Sequence, residues 1–199
     1  MFLISKPEEK AIRRFLAEQA GSAYSYREVG ASRSGNAPPG YNVDHNRALL
    51  GHGIEAFEFA KAAVRSWKMF DMPWVRLCFP DTPIESRQVV AIVISHFGFV
   101  SINAARIVYL VDDEPGLKRF GFAYGTLLEH GESGEERFSV EFNEDSGEVW
   151  YDLFAFSRPA AFLAKLAYPL GRNLQRTFAA DSKAAMIRAV SSHGSGSKK

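Results

Sequence analysis

One cysteine, Cys78, stands in a chain of 199 residues. An internal disulfide framework is therefore excluded, and so is a cysteine-rich zinc site. Cys78 lies between Leu77 and Phe79 in a short apolar run, so it reads as a small core residue and not as a nucleophile. A charge excess is missing too. The 24 Lys and Arg nearly balance the 23 Asp and Glu, for a net charge of +1. That balance gives no footing for nucleic acid, an anionic membrane or another polyanion. Long apolar runs are absent as well. The best candidate, residues 89–94, is far short of a membrane span and reads as a buried strand. The opening Met-Phe-Leu-Ile is too short for a signal peptide and is followed at once by Lys6, Pro7 and Glu8. Together these point to a soluble protein of a reducing compartment, the cytoplasm, with no membrane insertion.

What is abundant is apolar bulk. Hydrophobic residues make up 46% and aromatics 13%, with 16 Phe. A full core is affordable, and the aromatics must be buried in that core or around a cavity. The length suits one domain, taken as residues 1–190 with a polar tail over 191–199. There is no internal repeat and no linker.

Residues 7–20 read as a helix, with Ile12, Phe15 and Leu16 on one face and Ser5 placed to cap it. Residues 23–30 fit a strand, 32–40 a loop and 41–50 an extended segment. A second helix covers 53–70, where Phe57, Ala60, Val64 and Trp67 share a stripe. Strands are then expected over 74–79, 88–95, 104–111, 118–128, 136–142 and 148–156. The clearest is the alternation of Phe138, Val140 and Phe142 with Arg137, Ser139 and Glu141, followed by a turn at 143–147. A polar, glycine-bearing loop is expected between the strands ending at 128 and starting at 136. From Ala160 to about Val190 the pattern is helical. Leu163, Leu166, Leu170 and Leu174 form a stripe for the sheet, and Pro169 kinks or divides the helix. Strands in succession, without intervening helices, argue against a parallel doubly wound sheet. The fold class is therefore α+β: a curved antiparallel sheet gripping a long C-terminal helix, with room for a pocket between them.

A set of motifs runs through this frame: Trp67 to Phe70 with Trp74, Phe122-Ala-Tyr-Gly-Thr126, His130-x-x-Ser133-Gly-Glu-Glu-Arg-Phe138, Val149-Trp150, and Phe156-Ser-Arg-Pro159 followed by Pro169. The combination resembles the bacterial and plant family called domain of unknown function 1990, over about residues 24–190. The resemblance implies the helix-grip superfamily of START domains, polyketide cyclases and the birch-pollen allergen, whose members commonly bind hydrophobic ligands and in some cases are enzymes. It carries over no catalytic residue.

Candidate site residues come from three places. His130, Glu132, Glu135, Glu136 and Arg137 fall in or beside one polar stretch, where a histidine and a carboxylate can do acid–base work; the plainer alternative is a solvated loop. Arg106 and Asp152 interrupt apolar strands. They are either a polar pair inside a pocket, or outer-face residues or a structural bridge. Trp74 and Tyr124 can line a cavity with polar tips. The ligand-binding set is therefore Trp74, Arg106, Tyr124, His130, Glu135 and Arg137. Gly131-Glu-Ser133-Gly lacks the last glycine of a nucleophile elbow. Gly51-His-Gly53-Ile-Glu-Ala56 lacks the βαβ setting of a dinucleotide fingerprint and reads as a glycine-rich lead-in to a helix. His45 and His52 are not at ligand spacing, so no metal and no cofactor is expected. Three functions stay open: a binder of small hydrophobic molecules, an enzyme acting near His130, Glu135 and Arg137, or an interaction module with no deep pocket. A ligand-sized cavity favours the first two.

Overall fold

Alternating side chains along the last four strands build a sheet with two unlike faces. The computed structural model describes residues 2, 3, 5–96, 98–128, 130–160 and 168–194. Its strands are β1 (Phe2–Leu3), β2 (Asn42–His52), β3 (Val75–Cys78), β4 (Val89–His96), β5 (Phe99–Val111), β6 (Leu117–Thr126), β7 (Glu132–Asn143) and β8 (Glu148–Pro159). The α-helices are α1 (Glu9–Gln19), α2 (Gly53–Arg65) and α3 (Tyr168–Gly194). The sheet is antiparallel in the order β2-β8-β7-β6-β5-β4-β3, and β1 pairs with β5 off this path. It curls around α2 and α3, the helix-grip arrangement.

On the concave face, Phe138 and Val140 of β7 meet Val149, Tyr151 and Leu153 of β8. They pack with Phe122 of β6, with Phe57, Ala60 and Val64 of α2, and with Ala179, Met186 and Val190 of α3. On the convex face α1 lays Ile12 and Phe15 over Val93, Ile102 and Ala104. The segment 20–41 crosses the rest of that face, with Tyr26 edge-on to Phe156 at 5.8 Å. This segment is not the strand expected over 23–30. It makes a lone bridge, Tyr24 to Leu127, and a 3-10 turn at Ala31–Ser34. Residues 41–50, read as extended, form most of edge strand β2.

The second helix ends earlier than its apolar stripe suggested. α2 stops at Arg65, and Trp67 takes a left-handed turn at φ 54° before a 3-10 turn at Lys68–Phe70. The turn drives Trp67 into the core, where it is 2% exposed and its indole N–H donates to the Thr82 carbonyl at 3.0 Å.

Of the stripe expected on the C-terminal helix, Leu174 borders the cavity between helix and sheet, and the buried contact continues through residues further along the helix. Leu163 and Leu166 lie outside the described residues. Leu170 is 43% exposed, whereas Ala179, Ser182, Ala185, Met186 and Val190 are buried. Small residues let the helix axis approach the sheet closely, which a row of leucines would prevent. Pro169 lies at the start of the described helix, and residues 161–167, on the other side of the expected kink or division, lie outside the described residues; the helix continues past Val190 to Gly194. Polar clamps fix its position. Arg172 reaches Asp44 of β2 with two bonds of 2.6 and 2.8 Å. Trp74 donates to Asp181 at 2.8 Å, and the Ser182 and Tyr151 hydroxyls are 2.8 Å apart.

Met186 fills the core at 0% exposure, so Met186→Ala should cost about 2–5 kcal/mol in a urea titration. Leu170→Ala should stay within about 0.5 kcal/mol. Equal losses would mean that the exposed leucine, and not the small-residue stripe, holds the helix.

Candidate functional site

The largest departure from the sequence reading is in β7. The polar stretch after His130, expected as a loop, is strand from Glu132 onward. Gly134 permits this. A side chain there would place its Cβ 2.0 Å from the Phe156 carbonyl oxygen on β8, so only glycine allows that approach. The strand period then sorts the charges. Glu132, Gly134 and Glu136 share the face of Phe138. Ser133, Glu135 and Arg137 take the other.

Glu135 is therefore a convex-face residue, 2% exposed. Its Oε2 accepts from the Tyr26 hydroxyl at 2.6 Å and the Gly30 N–H at 2.7 Å, while Oε1 accepts from the Ser32 N–H at 3.0 Å and the Ser32 hydroxyl. Arg137 donates to the Ser32 carbonyl and to Asp152, each at 3.0 Å. Asp152 also meets His45 at 2.6 Å. Arg106 caps the C-terminal end of α1 through the carbonyls of Gln19 and Ala20, at 3.2 and 2.9 Å. These arginines serve the outer layer and are not among the residues that line the cavity below. His130 is accordingly not brought together with the Glu135 carboxylate or with Arg137. The physical reason is the alternation of β7.

On the concave side, under α3, lies a cavity of about 230 Å³. Phe70, Trp74, Ile92, Leu153 and Phe178 give it an apolar wall. Four of the predicted residues, Trp74, Tyr124, His130 and Glu135, are among its lining, Glu135 with its carboxylate turned to the outer layer. Asp44, Glu132 and Glu136 join them; the sequence reading grouped Glu132 and Glu136 with His130 as acid–base candidates but left them out of the ligand-binding set, and it gave Asp44 no role. One signal could have found two of them. Extending the Phe142, Val140, Phe138 alternation backwards puts Glu136 and Glu132 on the apolar face. Asp44 had no such signal, because only the pairing of β2 with β8 brings it there.

The electrostatics are those of carboxylates held in an apolar setting. The Tyr124 hydroxyl donates to Glu136 Oε2 at 2.8 Å. Burial raises the Glu136 carboxyl to about 7, the Tyr124 hydrogen bond opposing this and the Asp44 charge adding to it. Burial also raises Glu132. His130 Nδ1 accepts the Glu132 N–H at 3.0 Å, which leaves the proton of the neutral ring on Nε2; burial lowers this histidine to about 4. Among the described residues, no three His, Cys, Asp or Glu side chains cluster as metal ligands.

Residues 25–185 match the family described as domain of unknown function (DUF1990). The chain belongs to this family. It is 35% identical over 210 residues to a UPF0548 protein of Dictyostelium discoideum, covering 97% of each chain. To a UPF0548 protein of Deinococcus radiodurans it is 37% identical over 202 residues, covering 96% of this chain and 99% of the other. An Arabidopsis thaliana UPF0548 protein is 36% identical over 154 residues, 76% of this chain and 74% of that one. Among solved structures, a hypothetical protein from Helicobacter pylori superposes with a TM-score of 0.51 over 77% of this chain and 94% of its own, at 12% identity. At that identity the likeness is one of fold.

Glu136 and His130 are displaced in opposite senses, from 4.5 up to about 7 and from 6.5 down to about 4. The Glu136 contribution to stability is full below 4.5 and lost as pH rises through about 7. The His130 contribution is full above 6.5 and lost as pH falls through about 4. Between 4.5 and 6.5 the folded pair and the unfolded pair bind the same number of protons, so the two slopes cancel. Glu136→Gln removes one of them. Its stability relative to wild type should rise by about 1.4 kcal/mol per pH unit across that window. Urea titrations at several pH values test this, and a constant difference would show that Glu136 ionises as an ordinary glutamate.

Proposed function

We propose that this protein binds a small hydrophobic molecule in the cavity between the concave sheet face and α3. The observation that carries the reading is an aromatic-walled space under the gripping helix with a few polar groups at its edge, the usual composition of a ligand site. At about 230 Å³ the space lies just below the ~300–1,000 Å³ usual for such pockets. It therefore suits a compact molecule and not a long-chain lipid. The same space speaks against an interaction module without a pocket. The compartment we propose is the cytoplasm, on the lone cysteine. Among the described residues no helix is long and apolar enough to cross a membrane.

A fluorescent apolar probe should bind the folded protein. Trp74→Ala should weaken that binding about tenfold, the loss of one well-packed aromatic contact. Trp67→Ala should act mainly on stability, because Trp67 is sealed in the core. Binding that is absent, or indifferent to Trp74, would overturn the proposal. Mass spectrometry of molecules that copurify with the native protein would identify the ligand.

One observation favours a second reading, an acid–base enzyme. A carboxyl held at about 7 beside a tyrosine hydroxyl can both give and take a proton near neutrality. Incubating wild type and Glu136→Gln with a metabolite extract separates the readings. An enzyme consumes a compound that the variant leaves untouched, whereas a binder consumes none.

A further inference from the structure

We propose that the ligand of this cavity carries an amine or other organic cation, seated against Glu136 and Glu132, with its apolar body between Phe70, Trp74 and Phe178. This rests on the pocket reading above and specifies the chemistry that the pocket selects.

The charged groups on the wall are of one sign. Among the described residues no lysine and no arginine lines the cavity, whereas Asp44, Glu132, Glu135 and Glu136 do. Two of these carboxylates are already committed. Arg172 holds Asp44 with a bidentate pair, and the Glu135 carboxylate is turned to the other face, with four donors. Glu132, which Ser157 and the Arg172 charge stabilise only in part, and Glu136 remain. Glu132 keeps Oε2 buried with no hydrogen-bond partner among the described residues, a cost that a donor arriving with the ligand would relieve. Tyr124 serves Oε2 of Glu136. His130 adds no positive charge, since its Nδ1 is occupied by the Glu132 N–H and burial keeps the ring neutral.

Each ligand class meets this wall differently. A fatty acid or phosphate would face carboxylates at close range in a low-dielectric space, while the nearby cation, Arg172, is already paired with Asp44. A metal ion would find no cluster of three ligating side chains among the described residues. An organic ammonium gains a carboxylate acceptor at either glutamate, and the aromatic faces of Phe70, Trp74 and Phe178 attract it further. Its apolar portion then fills the remaining wall.

Benzylamine, benzyl alcohol and benzoate share one apolar body and differ in the head. Each should be titrated into nitrogen-labelled protein near pH 8, with the Trp74 indole N–H followed by NMR. Benzylamine should bind at least about tenfold more tightly than benzoate, the scale of a desolvated charge pair. Glu136→Gln should erase most of that preference, with Glu132→Gln removing part of it. Benzoate binding as tightly as benzylamine, or a preference that survives both substitutions, overturns the proposal. If the fluorescent apolar probe binds while none of the three compounds moves the Trp74 resonance, the head-group assignment fails and the apolar pocket stands. If the probe fails too, the pocket reading itself fails.

Discussion

Everything in this structure depends on how β7 divides its charges. Neighbouring glutamates, Glu135 and Glu136, point to opposite faces of one strand because successive side chains alternate. Pairing with β8 on one side and β6 on the other fixes the register. A slip of one residue would exchange the two carboxylates and turn Phe138 and Val140 outwards. Gly134 guards that register, since only a residue without Cβ can lie so close to Phe156.

The two glutamates show what a buried charge requires. Glu135 is surrounded by donors from one short segment, Tyr26, Gly30 and Ser32. Gly30 contributes through a left-handed backbone, φ 89°, which is open to glycine at little cost. Satisfied in this way, the carboxylate clamps the segment to the outer face. Arg137 and Asp152 extend the clamp across to β8. Glu136 receives a single tyrosine hydroxyl and stays close to its own neutral form. One glutamate holds a layer in place. Its neighbour is kept under-satisfied inside a cavity, where an arriving ligand can complete it.

The helix that closes the cavity follows the same economy. Its buried stripe is built of small residues, so it can lie close to the core at Met186 and Val190. Nearer its start it stands off from the sheet, and Leu174 and Phe178 border the open space. The Arg172–Asp44, Trp74–Asp181 and Tyr151–Ser182 contacts hold that stand-off without filling it.

Period and composition alone determined much of this protein. Strands in unbroken succession followed by a long helical pattern led to a helix gripped by an antiparallel sheet. The alternation at Phe138, Val140 and Phe142 placed the central strand. The aromatic load pointed to Trp74 and Tyr124, which the structure sets on the cavity wall. The fate of the charged stretch at 130–137 was not legible. A run of Glu, Gly and Arg looks like a solvated loop, because its partners lie about a hundred residues away at Tyr26 and Ser32. Ala179, Ser182 and Ala185 were hidden for a related reason: small side chains leave little periodic signal, yet they suit a helix that must approach a sheet closely. Periodicity tells which residues share a face, but it does not tell what covers that face. Only the tertiary structure supplied the donors that make Glu135 structural, and it placed Glu136, Glu132 and Asp44 around one cavity.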